Sequence, residues 1–230
     1  MRAIFYIDGF NFYYLRTKKQ PHHKWLNLKT LADIIVPDGT IVERVNYYTA
    51  HVSGKLDPDA PRRQQLLFSA LATVPKVNIV KGNFQYEQKW AGLVQPAQAK
   101  PDGYVWTQPE PEVVKIKHTE EKGSDVNLGV HLVRDGFTNA FDIAYVLTND
   151  TDLVEPIRII KEELGKEVVI VAPCRYFMKG KHKVPLPSRS LFDASDRTHY
   201  IDDHELAASQ FPRSIPRVGK RPVIRPDTWV

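Results

Sequence analysis

The sequence predicts an α/β fold with a mostly parallel central sheet covered on both faces and an aromatic-rich hairpin inserted into it. Three observations carry this. Short apolar runs of strand-forming residues (Ala3–Ile7, Phe141–Thr148, Glu167–Ala172) lack the polar alternation of a half-exposed strand, as expected of strands buried on both faces. Stretches with helical periodicity separate them, which is the pattern of parallel crossovers. The rhythm breaks once, between Gly82 and Pro111, where Phe84, Tyr86, Trp90, Tyr104 and Trp106 cluster around prolines and glycines.

In order, the first strand stops at Asp8-Gly9-Phe10-Asn11, and Phe12 to Lys18 reads as a short helix broken by Pro21. Leu26 to Ile35 is a second short helix, stopping before Pro37-Asp38-Gly39, and Ile41 to Ala50 is a strand. Asp57 to Pro61 opens a helix over Arg62 to Thr73, and Val77 to Lys81 is a short strand. Alternation in Asn83 to Gln88 and Val113 to His118 predicts a hairpin arm with a mobile tip between Trp90 and Tyr104. Ser124 to Asp135 is helical, with Val126, Val130 and Val133 at i, i+4 and i+7. Leu153 to Leu164 is a helix with Pro156 in its first turn and Gly165 at its stop. Lys179 to Pro187 reads as a basic loop, and Ser195 to Ser209 as a last short strand and helix. Residues 1–210 thus form one domain with an insertion at about 82–112, followed by a Pro/Arg-rich tail (211–230) expected to lack a fold of its own.

Composition narrows the class. The 230 residues, 42% hydrophobic, suffice for one sizeable core. The single Cys174 rules out an internal disulfide and fits a reducing compartment. No apolar run approaches the roughly 18 residues of a membrane span, and Asp8 interrupts the N-terminal run, which argues against a secretory signal. A cytoplasmic protein without a membrane partner is the expectation. A net charge of +5 is compatible with a polyanionic partner without requiring one. The histidines show no zinc spacing, and no glycine-rich phosphate loop follows a strand.

The chemistry, then, lies in carboxylates. Three stretches deliver acids to strand ends or helix starts: Asp8; Glu120 to Asp125; and Asp150 with Asp152. If the strands ending at Asp8 and Thr148 are neighbours, these acids share the carboxyl edge where α/β sheets bind ligands. Carboxylates gathered there repel one another unless a cation sits between them, and an all-oxygen donor set favours Mg²⁺ or Mn²⁺. Such an ion suits phosphodiester hydrolysis. Simpler uses stand beside this one. Asp125 and Asp152 open helices and suit capping, and Asp8-Gly9 suits an ordinary turn.

The stretches Ile7-Asp8-Gly9-Phe10-Asn11, Glu121-Lys122-Gly123-Ser124-Asp125-Val126 and Leu147 to Pro156, in this order, resemble the NYN domains, the LabA-like branch of the PIN-like nucleases. The resemblance implies a PIN-like three-layer α/β/α sandwich and a Mg²⁺- or Mn²⁺-dependent ribonuclease. With the acids above, the expectation is an endoribonuclease whose partner is single-stranded RNA. The resemblance makes Asp8, Asp125, Asp150 and Asp152 the metal-binding acids, and Asn11, Thr148 and Asn149 the groups that order water, backbone or phosphate beside them. Thr148-Asn149 departs from the more usual Ser-Gly, and the aromatic insertion is not a general feature.

Lys122 and Arg16 are candidate phosphate contacts, with a solvated lysine and a wet helix end as the plainer readings. Trp90, Tyr104 and Trp106 are placed either to stack on bases or to form a satellite core or homodimer contact. The rival function is a regulatory module that binds RNA or a protein without cutting.

Overall fold

The computed structural model of the chain describes every residue except 55–56, 95–102, 104, 106–108, 110 and 230. Strand β1 (Arg2–Asp8) leads into α1 (Gly9–Phe12), which continues as a wider turn through Thr17. Helix α2 (Leu28–Ile35) is capped by the Asn27 side chain, which accepts from the Lys29 and Thr30 amides. Strand β2 (Ile41–Ala50), helix α3 (Ala60–Leu71), strands β3 (Val77–Gly92) and β4 (Val113–Lys122) and helix α4 (Ser124–Phe137) follow. Strand β5 (Ile143–Leu147), helix α5 (Val154–Arg158) and strand β6 (Glu167–Ala172) complete the central part. The remainder comprises β7 (Tyr176–Lys179), β8 (His182–Pro185), α6 (Arg189–Ala194), β9 (Arg197–Tyr200), α7 (Asp203–Ala208), β10 (Ser214–Arg217) and β11 (Lys220–Ile224).

The main sheet has the order β4-β3-β2-β1-β5-β6-β9, parallel except for β4 at one edge. The chain runs outward from β1 through β2 to β3, then crosses to the other side of β1 to lay down β5. The β1/β5 crevice is therefore the point where strand order reverses, and ligands of open parallel sheets bind at the carboxyl end of such a crevice.

The side-chain period of two sorts the core into two layers. Ala3, Phe5 and Ile7 of β1 and Ile143, Tyr145 and Leu147 of β5 face α2 and the C-terminal segment, with Phe5 and Tyr145 stacked at 4.5 Å. Ile4 and Tyr6 of β1 and Ala144 and Val146 of β5 face α4, α5 and α6. Two buried apolar layers, one on each face of the sheet, make the molecule a three-layer α/β/α sandwich of PIN-like type. No helix among the described residues is long and apolar enough to cross a membrane.

Four expectations change. The short strand at Val77 and the separate hairpin arm are one strand, β3, whose first part pairs parallel with β2 and whose later part pairs antiparallel with β4. The expected basic loop is the β7–β8 hairpin. Val126 and Val130 of α4 face solvent, while Leu128, Gly129, Leu132 and Gly136 form the buried face. Helix packing there favours small residues, because α4 lies close against Pro156 and Ile160.

The segment after Phe211, expected to lack a fold, forms the β10–β11 hairpin and buries Phe211, Ile215, Val223 and Trp229. Trp25 explains why. Its indole is fully buried between Phe211 and Trp229, and its N–H donates to the Pro212 carbonyl at 2.9 Å. Each such aromatic burial is worth about 2–3 kcal/mol, enough to order a Pro- and Arg-rich strand pair. Much of the expected tip between Trp90 and Tyr104, with Tyr104 and Trp106, lies outside the described residues; Trp90 is exposed.

Candidate acidic site at the strand-order reversal

Register brings two of the three acidic stretches together. Ile7 of β1 pairs with Leu147 of β5, so the next residues, Asp8 and Thr148, emerge side by side. Both follow the even-numbered face, with Ile4 and Tyr6, toward α4. Asp8 is almost fully buried, and its carboxylate is held on both oxygens. Oδ1 accepts the Asn11 amide at 2.9 Å, and Oδ2 accepts the Asn11 side-chain amide at 2.7 Å and the Thr148 hydroxyl at 3.1 Å. The plain reading of Asp8 as a turn residue is thus half right, because it caps α1 as well.

Thr148 ties the two stretches. Its hydroxyl donates to Asp8 and accepts the Asp150 amide at 3.0 Å. Asp150 in turn accepts the Asp152 amide at 3.0 Å and so caps the short turn that leads into α5. Asn11 Oδ1 accepts the Asn149 amide at 3.2 Å, and Asn149 Oδ1 accepts the Ser188 amide at 2.8 Å. Asn11, Thr148 and Asn149 are thereby a scaffold around Asp8 rather than groups turned outward.

The third stretch arrives from the other edge of the sheet. After β4, Gly123 takes a left-handed φ of 95°, which turns the chain into α4. Glu121 holds this turn, its carboxylate accepting the Ser124 amide at 3.1 Å and the Ser124 hydroxyl at 2.6 Å. Glu121 can approach because residue 82 is glycine; a Cβ there would lie 2.2 Å from its Oε1. Asp125 follows in the first turn of α4, where the cap position is Gly123 and no side chain caps. The capping role expected of Asp125 and Asp152 belongs to Asp8 and Asp150.

The electrostatics couple the three stretches. Burial, then Asp8, Asp150, Glu121 and Asp152 in that order, push the Asp125 carboxyl up to about 6. Burial also raises Asp8, and Asp150 adds to it, while the hydrogen bonds from Asn11 and Thr148 pull it back. Among the described residues, no Lys or Arg forms an ion pair with Asp8, Asp125, Asp150 or Asp152. Among the described residues the group is acidic without a paired cation.

The donor set is the hard-oxygen type that suits Mg²⁺ or Mn²⁺. Among the described residues, however, no three His, Cys, Asp or Glu side chains stand in a grouping that could hold a metal ion as they are. The chemistry of the donors fits a divalent cation, and the carboxylates would have to draw together around it.

The remaining candidates separate. Lys122 ends β4 on the exposed surface beside the Gly123 turn. Arg16 does not join the acids, because its guanidinium pairs with Asp203 at 2.7 Å. Two groups near the site carry no strong local signal. Glu121 lies within one of the acidic stretches, but its hold on Ser124 is a long-range consequence of Gly82. Tyr47 packs its ring against Gly9, and burial, followed by the Asp8 charge, pushes its hydroxyl up to about 12 despite a hydrogen bond with Thr49.

Comparison with known proteins identifies the family. The NYN domain matches residues 2–202. The chain is 29% identical over 248 aligned positions to 6-hydroxy-3-succinoylpyridine 3-monooxygenase HspA of Pseudomonas putida, covering 100% of this chain and 75% of that protein. A crystal structure of a protein of unknown function from Vibrio parahaemolyticus aligns over 88% of this chain and 93% of that one, with a TM-score of 0.46 and 16% identity.

Proposed function

Since the chain belongs to the NYN domain family, whose members are nuclease-like and usually use divalent metals, we propose that it is a metal-dependent ribonuclease acting on single-stranded RNA. What supports this reading is that Asp8, Asp150 and Asp152 all raise the Asp125 carboxyl, with no paired Lys or Arg among the described residues, near the carboxyl edge where the strand order reverses. Asp8, Asp125, Asp150 and Asp152 would hold Mg²⁺ or Mn²⁺, which supplies a lowered water pKa and charge stabilisation at a phosphoryl oxygen.

The chain's own residues do the rest. Asn11 and Thr148 fix both oxygens of Asp8, which keeps the deepest carboxylate in one orientation. Asp125, whose carboxyl burial and the neighbouring acids raise in the metal-free chain, is the group that gains most from a cation placed among them. In this reading Lys122, exposed beside Gly123, would meet a phosphate, and Asn149 holds the loop that carries Asp150.

The test is purified protein with labelled single-stranded RNA in Mn²⁺ or EDTA, wild type against Asp8→Asn. Mn²⁺-dependent cleavage by wild type alone is the expected result. Equal cleavage by both proteins would remove the site assignment. RNA bound but uncut by wild type would favour a regulatory binding module. The likeness to a monooxygenase named for a small pyridine favours one further reading, in which the site handles a heteroaromatic molecule. Incubation with 6-hydroxy-3-succinoylpyridine and a reductant in air separates this from the nuclease, since only that reading predicts its consumption.

A further inference from the structure

A second site lies on the opposite side of the β1 turn from the carboxylates. Between α1 with its extension, the Pro21–His23 turn, α3 and the end of β2 is a cavity of about 430 Å³. That is within the range of small-molecule sites, roughly 300–1,000 Å³. Gly9 forms part of its wall, directly after Asp8, and Tyr47 lines it beside Gly9.

Its lining has two characters. Phe12, Tyr13, Tyr47, Leu67 and Trp229 are broad apolar or aromatic surfaces. Lys18, Lys24 and Arg63 are cations, and among the described lining residues Asp57 is the lone acid, already paired with Arg63. The lysines lie over rings: Lys24 Nζ is 5.4 Å from the Tyr13 centroid, and Lys18 Nζ is 4.8 Å from that of Tyr14. Burial, with Arg63 and Lys18 close by, holds the Lys24 ammonium below its ordinary value despite the pull of Asp57. Positive charge is thus concentrated against aromatic walls with too little negative charge to balance it.

We infer that this cavity binds a planar aromatic ring carrying an anionic group, the ring against Tyr47, Phe12 and Trp229 and the anion on Lys24, Arg63 and Lys18. A flat ring matches the aromatic walls, and a carboxylate or phosphate matches the cations. The ligand is either a nucleotide or a free heteroaromatic acid, which share this chemistry. The inference stands apart from the nuclease reading, because no carboxylate of the acidic edge lines the cavity.

The experiment is titration of the full chain at low salt in EDTA, followed by calorimetry. The probes are adenosine 5′-monophosphate and pyridine-3-carboxylate, with adenosine and pyridine-3-carboxamide as their neutral counterparts. At least one anion should bind roughly tenfold more tightly than its neutral counterpart. Lys24→Gln should erase that preference, and Leu67→Trp should abolish binding by filling the cavity, both with an unchanged circular dichroism spectrum. Which anion binds identifies the source. Binding of neither anion at millimolar concentration would overturn the inference. So would equal binding of the neutral compounds, or retention in folded Leu67→Trp.

Discussion

Helix α4 carries a buried or half-buried aspartate near each end, and their surroundings are opposite. Asp135, near the C-terminal end, sits where the helix dipole disfavours an acid, and burial pushes its carboxyl up. Hydrogen bonds from Arg134 at 2.8 Å and Tyr6 at 2.8 Å, with the charge of Arg44, outweigh both and hold it below its ordinary value. Asp125, at the N-terminal end, has the dipole in its favour, and yet burial and four neighbouring acids raise it. The first carboxylate is satisfied within the chain, and the second is not. A fold that supplies two arginines and a tyrosine to one acid and no described cation to a cluster of four leaves the second cluster to be neutralised from outside.

That contrast can be broken in several ways. The largest effect is expected at the satisfied end. Asp135→Asn leaves Arg44 without its carboxylate, and should cost about 3 kcal/mol in urea unfolding, at the low end for a broken buried pair because Arg44 is partly exposed. Asp125→Asn should leave the unfolding midpoint in EDTA unchanged or raised, while Mn²⁺-dependent RNA cleavage falls about 100-fold, or about 2.7 kcal/mol in the barrier. A drop in stability like that of Asp135→Asn would erase the distinction.

Added cation should act on one end only. Mn²⁺ at about 100 times its Kd should stabilise wild type by about 2.7 kcal/mol, and Asp125→Asn should lose most of that gain. pH sharpens the same contrast, with opposite signs. Asp125 has its folded pKa raised from 3.8 to about 6, so metal-free stability should decline as pH rises through that window. Asp135 has its pKa lowered, so its contribution is present above 3.8 and is lost as pH falls through the folded value. Thermal midpoints in EDTA should show the pH 4–6 limb flatten in Asp125→Asn; an unchanged limb would rule out the mutual repulsion. The smallest effect is at the link. Thr148→Val removes a hydroxyl that bonds Asp8 and the Asp150 amide, and should cost about 1.5 kcal/mol in unfolding with a modest loss of cleavage.

The uncompensated end was legible in the sequence, and the compensated end was not. Asp8, Asp125 and Asp150 each follow a strand or open a helix, and local pattern locates strand ends and helix starts. Asp135 draws its partners from Tyr6 and Arg44, far away along the chain, and no local pattern announces them. The valine stripe on α4 misled for a related reason. Apolar periodicity marks a face without saying which face is covered, and the covered one here relies on two glycines that fit against Pro156 and Ile160. The C-terminal hairpin was missed because its apolar residues are scattered among prolines and arginines, and Trp25, which orders them, lies at the other end of the chain. Arg16 showed its charge but not Asp203, the partner that takes it.

The β3–β4 arm has a consequence for how such a protein can change over generations. It leaves the sheet and returns to it at a single rung, where Asn83 stands opposite Lys122, and the pair Phe84–Glu121 is the next rung out. Because Glu121 holds the turn into α4, everything the acidic edge depends on is complete at that second rung. Residues beyond it form a cassette that can be lengthened, trimmed or exchanged without moving Asp125. Lineages that share the edge are free to differ in what they hang from it.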